Sequence, residues 1–130
     1  MRIVYCIPAT SNSGGMERVL TRKVNYLADL GHELIIITTD QRGAKPFFPL
    51  DESVKQYDLG INYDENNGQG ILAKALAYPR KKRLHKQRLQ ALLLKLRADI
   101  VISMFGDDSS FLPKIKDGSK KILEYHFSKL

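Results

Sequence analysis

At 130 residues and 43% hydrophobic, the chain is long enough for one buried core and too short for two ordinary domains. No apolar run approaches the about 18 to 20 residues that cross a bilayer, and the apolar stretch that ends at Pro8 is too short for a secretory signal, so neither a membrane span nor export is expected. The formal charge of +7 has one address: nine basic residues and no acidic one lie between Gln69 and Ala98, against 12 basic and 14 acidic in the remainder.

In chain order, residues 2–7 form a nearly continuous apolar run, the pattern of a strand buried on both faces of a parallel sheet. The lone cysteine, Cys6, lies inside it, where it packs as a small apolar side chain and suits a reducing cytoplasm. The run Ala9-Thr10-Ser11-Asn12-Ser13-Gly14-Gly15-Met16 then hands over to a helix. Without Cβ atoms at Gly14 and Gly15 a ligand can approach the backbone, and the amides that open the helix can face a phosphate. The alternative is a loop in which Asn12 or Ser13 caps the helix and the glycines relieve a tight turn.

From about Met16 to Leu30, Leu20, Val24 and Leu27 recur at helical spacing, Glu17 suits the helix start and Gly31 stops it. Residues 34–39 predict a second buried strand, which ends at Asp40. The Pro46-Phe47-Phe48-Pro49 segment cannot be regular helix; its two rings either tuck back onto the domain or form an exposed apolar contact. Val54 to Leu59 predicts an edge strand, and residues 62–70 a loop. A helical region from Ile71 to Arg97 is expected to be interrupted near Pro79, with Leu89, Leu92, Leu93 and Leu96 on its packed face. Strands at residues 100–104 and 121–125 complete the series, with a loop and one helical turn between them.

Alternation of buried strands with helices predicts an open α/β fold: a Rossmann-like three-layer sandwich with a mostly parallel sheet in the order 3-2-1-4-5. The chain reverses between the first and fourth strands, which opens a crevice at their carboxyl ends. Gly14, Gly15 and Met16 arrive there after the first strand, Phe105, Gly106 and Asp107 after the fourth, and His126 after the fifth. Of the other histidines, His32 reads as structural and His85 as part of the basic block.

That block can attract phosphates of nucleic acid or of anionic lipid headgroups, or it is a solvated helix face. Arg80, Lys81, Lys82 and Arg83 are its densest part and are expected to lie outside the packed portion of the helix. No nucleic acid is expected, since neither an aromatic single-strand platform nor zinc-ligand spacing accompanies the charge; an anionic membrane is the partner expected of the stretch Arg80 to Arg88. Scattered histidines and a lone cysteine predict no metal.

The run Ser13-Gly14-Gly15-Met16-Glu17-Arg18-Val19-Leu20 resembles the N-terminal signature of family 4 glycosyltransferases, retaining enzymes of the GT-B fold. Gly31-His32-Glu33, Pro46-Phe47-Phe48, Ala98-Asp99-Ile100-Val101-Ile102-Ser103 and Glu124-Tyr125-His126-Phe127 resemble that family's N-terminal domain in the same order. Within the family the chain looks like bacterial surface-polysaccharide transferases. The resemblance implies an acceptor-side domain, the first half of a GT-B fold, belonging to a longer enzyme whose C-terminal domain binds most of a nucleotide-sugar. The chain alone is then expected to transfer no sugar. It further implies that Gly14, Gly15 and Met16 meet the donor diphosphate and sugar, that Phe105, Gly106 and Asp107 face the crevice and acceptor, and that His126 serves at the reacting sugar. The nucleotide-sugar is a substrate, and no cofactor is implied. A saccharide or lipid-linked acceptor would place the enzyme in the cytoplasm, peripheral at the membrane.

Two rivals remain on the residues themselves. A dinucleotide-binding oxidoreductase could use Asp40 to hold a ribose, but Gly14-Gly15 lacks the G-x-G-x-x-G spacing. A phosphoacceptor receiver domain needs carboxylates at its strand ends, and Tyr5, Cys6 and Ile7 end the first strand without one.

Overall fold

A computed structural model describes residues 1–63, 70–104 and 107–124. Five strands, β1 (Arg2–Cys6), β2 (Glu33–Thr38), β3 (Lys55–Asp58), β4 (Ile100–Ser103) and β5 (Lys120–Leu123), form one sheet in the order β3-β2-β1-β4-β5. Every neighbouring pair is parallel, with Cys6 opposite both Ile37 and Ser103. This is the expected Rossmann-like arrangement, and β1 and β4 lie side by side at the point where the chain reverses.

Side chains alternate across the sheet and build two cores. Ile3, Tyr5, Leu34, Ile36 and Ile102 pack under Leu20 and Val24 of helix α1 (Gly15–Asp29). Val4, Cys6, Ile35, Ile37 and Val101 pack on the other face, under Leu89 and Leu93 of helix α2 (Ile71–Leu96) and against Phe111, Leu112 and Ile115. The central strands read as unbroken apolar runs because each face has its own helix. β3 is the exception, exposed along its whole length as an edge strand should be.

Three local expectations are corrected. First, α2 is continuous from Ile71 to Leu96 with Pro79 inside it, although a proline there gives up one intrahelical hydrogen bond. Second, neither Asn12 nor Ser13 caps α1: Gly14 is the capping residue, and no side chain bonds to the helix start. Third, the segment after β4 forms two short 3-10 turns, Asp107–Ser110 and Leu112–Lys114. Helix α1 closes as expected, with Gly31 at φ +95°, a left-handed conformation that favours glycine. The loop rings divide: Phe48 is half-buried with the Arg18 guanidinium 5.6 Å from its centroid, whereas Phe47 is exposed and meets Phe48 edge-on.

Candidate functional site

The loop after β1 is rigid at its base and open at its tip. Ile7 N–H donates to Ile37 O, and Pro8 O accepts from the amides of Thr39 and Asp40, so residues 7 and 8 extend the sheet beyond the regular strands. Gln41 then acts as a buried brace. Its Oε1 accepts from Thr10 N–H at 2.8 Å and from Thr10 Oγ1 at 3.1 Å, while its Nε2 donates to Ala44 O at 2.7 Å. Asp58 supports this corner by accepting from Thr38 Oγ1 at 3.1 Å.

Beyond the brace, Asn12, Ser13, Gly14 and Gly15 are exposed and Met16 is half-buried. Gly14 is extended, at φ −70° and ψ 170°, and neither it nor Gly15 occupies the positive-φ region. A Cβ on Gly15 would meet nothing within 4 Å, and one on Gly14 would meet only the mobile end of Glu17. At Gly15 neither space nor backbone conformation calls for glycine, whereas at Gly14, the capping residue, a Cβ would press on the Glu17 carboxylate. The first amides of α1 have no intrahelical partner and receive no side-chain cap, so they are positioned to donate to an anion above the loop.

β4 delivers its carboxyl end to the same edge. Met104 N–H donates to Cys6 O at 2.9 Å, and the backbone of Asp107 opens the first 3-10 turn. The Asp107 side chain, Phe105, Gly106 and His126 lie outside the described residues.

Beneath this edge lies a polar cluster that sequence reasoning missed. Cys6, Ile7, Pro8, Ile37, Thr39, His85, Leu89 and Asp108 line a narrow cleft. His85, assigned from the sequence to the basic block, is only 3% exposed. Its Nδ1 lies 2.8 Å from the Tyr63 hydroxyl, and Phe111 meets its ring edge-on at 4.9 Å. Burial pushes its pKa down to about 4, Lys82 adds to the effect and the Asp40 carboxylate opposes it, so the ring is neutral near pH 7. Ser103 Oγ donates to the buried Asp108 at 3.1 Å. Burial, then the charge and hydrogen bond of Asp108, push the Cys6 thiol well up, so it is no nucleophile. Asp40, the carboxylate that acts on His85, is also the residue that the oxidoreductase reading assigns to a ribose. The spacing His85, Leu89, Leu93 was the available signal: His85 continues the core-facing stripe by one turn.

The basic residues also separate into two groups. Arg80 and Arg83 are exposed as expected, but Lys81 and Lys82 are half-buried. Lys81 Nζ donates to Asn62 O at 2.6 Å, and Lys82 Nζ contacts the Tyr78 hydroxyl at 3.3 Å and lies 5.4 Å from its ring centroid. The expectation that residues 80–83 lie wholly outside the packed helix is corrected for these two. Arg88 reaches across the fold to donate to Leu59 O. His32 sits at the amino end of the sheet, with Nδ1 3.2 Å from the N-terminal amine, away from the crevice. Among the described residues no group of three His, Cys, Asp or Glu side chains could hold a metal ion, and no helix is long and apolar enough to cross a membrane.

No family model matches the chain, and no curated protein matches it. Among solved structures it is similar to a crystal structure of a UDP-galactose 4-epimerase, at 15% identity and a TM-score of 0.41, with 79% of this chain and 37% of that chain covered. The chain spans little more than a third of the length of that structure, and a likeness at this level carries no argument about activity.

Proposed function

We propose that the chain is the acceptor-side domain of a retaining, nucleotide-sugar-dependent glycosyltransferase of the GT-B type, in which the Gly14-Gly15 loop receives the donor diphosphate when a second domain closes over the crevice. One observation carries the reading: of two adjacent glycines at an exposed helix start, Gly15 stands where neither backbone conformation nor packing requires it. A ligand that comes close to the backbone accounts for the missing side chain at Gly15. Uncapped amides at the start of α1 supply preorganised donors for charge that develops on the departing diphosphate. The resemblance of residues 13–20 to family 4 glycosyltransferases supplies the substrate class.

In this scheme the chain's own residues position and polarise. Gln41 and Thr10 hold the base of the loop, and Gly14, Gly15 and Met16 present backbone to the diphosphate and sugar. Phe105, Gly106 and Asp107 border the acceptor, and His126 contacts the reacting sugar. The experiment is transfer by the full-length gene product. Gly15→Val is expected to abolish transfer without lowering the unfolding midpoint, because the space around Gly15 is open; wild-type transfer by that variant would return the loop to a mere connection.

A further inference from the structure

The connection between β2 and β3 is stitched to α1. Asn25 Nδ2 donates to Pro49 O at 2.9 Å, its Oδ1 accepts from Asp51 N–H at 2.8 Å, and the Arg18 guanidinium lies 5.6 Å from the centre of the Phe48 ring. Beside these contacts, Arg18, Thr21, Arg22 and Asn25 of α1 and Phe48 and Pro49 of the loop line an open groove of about 320 Å³, a size suited to a small molecule. Its neutral polar groups are already engaged: Thr21 Oγ1 donates to Glu17 O at 2.8 Å, and the loop uses both ends of the Asn25 amide. The guanidinium forks are not. Arg18 and Arg22 stand one turn apart on an exposed face and form no ion pair among the described residues, although like charges at this spacing repel. Acids of the loop are kept elsewhere: Asp51 and Glu52 line a different hollow, with Lys45 and Gln56, and Asp51 Oδ1 accepts from the amide and hydroxyl of Ser53. The groove therefore has two cations and no carboxylate in its walls. It also adjoins the crevice. Arg18 N–H donates to Gly14 O at 3.2 Å and Phe47 N–H to Thr10 O at 2.8 Å, so the groove runs along α1 from the glycine loop.

We propose that this groove binds an acidic sugar, with Arg18 and Arg22 bridging its carboxylate or phosphate and Phe48 and Pro49 backing its ring, and that it is a subsite for an anionic residue of the acceptor saccharide. The assignment to the acceptor rests on the transferase reading above. Both sides of the groove select this occupant. A planar guanidinium held against an aromatic ring keeps its N–H fork available for an oxyanion, and two such forks suit a carboxylate or phosphate. The opposite wall is a proline and an aromatic ring, which match the C–H face of a sugar and offer a bare inorganic anion nothing. A neutral sugar would leave the two like charges uncompensated.

Nuclear magnetic resonance titration at low salt tests it, with glucuronate, glucose monophosphate, glucose and inorganic phosphate as probes. Glucuronate or glucose monophosphate, and not glucose, is expected to shift the side-chain Nε–H signals of Arg18 and Arg22 and the amides of Phe48 and Leu50; the tighter of the two acids tells a carboxylate from a phosphate as the recognised group. Arg22 makes no hydrogen bond or ion pair among the described residues, so Arg22→Gln should keep the unfolding midpoint while weakening binding about tenfold. Arg22→Lys, which keeps the charge and loses the fork, should fall between. Salt weakens binding in the wild type. In the full-length gene product Arg22→Gln should raise KM for an acidic acceptor and leave kcat unchanged. The proposal is overturned if neither acidic sugar shifts these signals, if glucose shifts them equally, if inorganic phosphate binds as tightly as the sugars, or if Arg22→Gln binds as well as the wild type. Binding is read without transfer: a protein that binds glucuronate but releases no nucleoside diphosphate loses the transferase reading alone, and one that transfers sugar but ignores both acids loses this subsite alone.

Discussion

The Tyr63 hydroxyl and Nδ1 of His85 lie 2.8 Å apart, and this hydrogen bond ties the segment after β3 to the middle of α2. It holds a neutral imidazole beneath the carboxyl ends of β1 and β2, where Cys6, Thr39 and Asp108 complete the cleft wall.

Burial of His85 makes stability depend on pH in a defined direction. With a pKa near 4 in the fold against an ordinary value of 6.5, the unfolded chain binds the extra proton first, so this contribution is intact above pH 6.5 and is lost as pH falls towards 4. The full loss is at most about 3 kcal/mol. Urea unfolding of the wild type and His85→Gln at pH 7 and at pH 4.5 checks it. The wild type should lose more stability between the two conditions, because carboxylate titration is common to both proteins; equal losses would contradict the burial of a neutral histidine.

Tyr63→Phe removes the hydroxyl partner of His85 Nδ1 and leaves the ring's bulk in place. A cost of about 1 to 3 kcal/mol is expected, the penalty for a buried polar atom deprived of its hydrogen bond. Chemical denaturation at pH 7 reads it, and an unchanged midpoint would mean that water replaces the hydroxyl at no cost.

Gln41→Ala leaves the buried amide of Thr10 without its acceptor and frees the loop from the β2–β3 connection. Global stability should fall by about 1 to 3 kcal/mol. Amide exchange should accelerate at residues 10–16 more than in α1 beyond them. Uniform acceleration along the chain would show that Gln41 supports the domain as a whole and not this loop.

Gly15→Ala and Gly31→Ala should change stability in opposite directions. Gly15 has open space and an ordinary backbone conformation at the start of α1, so alanine should leave stability unchanged or raise it by up to about 1 kcal/mol. Gly31, at φ +95°, should lose about 1 kcal/mol or more, since an L side chain is strained there. A destabilising Gly15→Ala would restore the tight-turn explanation of the glycine pair.

Much of the fold was legible because its central strands declare themselves. Residues 3–7, 34–37 and 100–102 are apolar without interruption, and the helical stripes between them fix a parallel sheet with both faces covered. Pro79 was misleading because local propensity argues for a break, whereas the chain on both sides keeps helical conformation and only one internal hydrogen bond is forfeited. His85 was assigned by its charged neighbours in sequence, while its environment is set by residues distant along the chain: Tyr63 before it and Phe111 after it. The brace from Gln41 to Thr10 had no local signal, since a glutamine after a strand reads as a surface residue until the two loops are seen together. The glycine pair stood out from the start, and the structure adds that Gly15 has an ordinary backbone conformation with open space around it.

The most direct measurement of the central claim pairs activity with stability in the full-length gene product. Release of nucleoside diphosphate from a panel of nucleotide-sugars is measured for the wild type and Gly15→Val, alongside their unfolding midpoints and the reduction of nicotinamide dinucleotides. The account predicts nucleoside diphosphate release from a nucleotide-sugar by the wild type, a glycosidic product of retained anomeric configuration, and loss of both in Gly15→Val at an unchanged midpoint. Wild-type release by Gly15→Val, or hydride transfer to a nicotinamide dinucleotide with no release from any nucleotide-sugar, would contradict it.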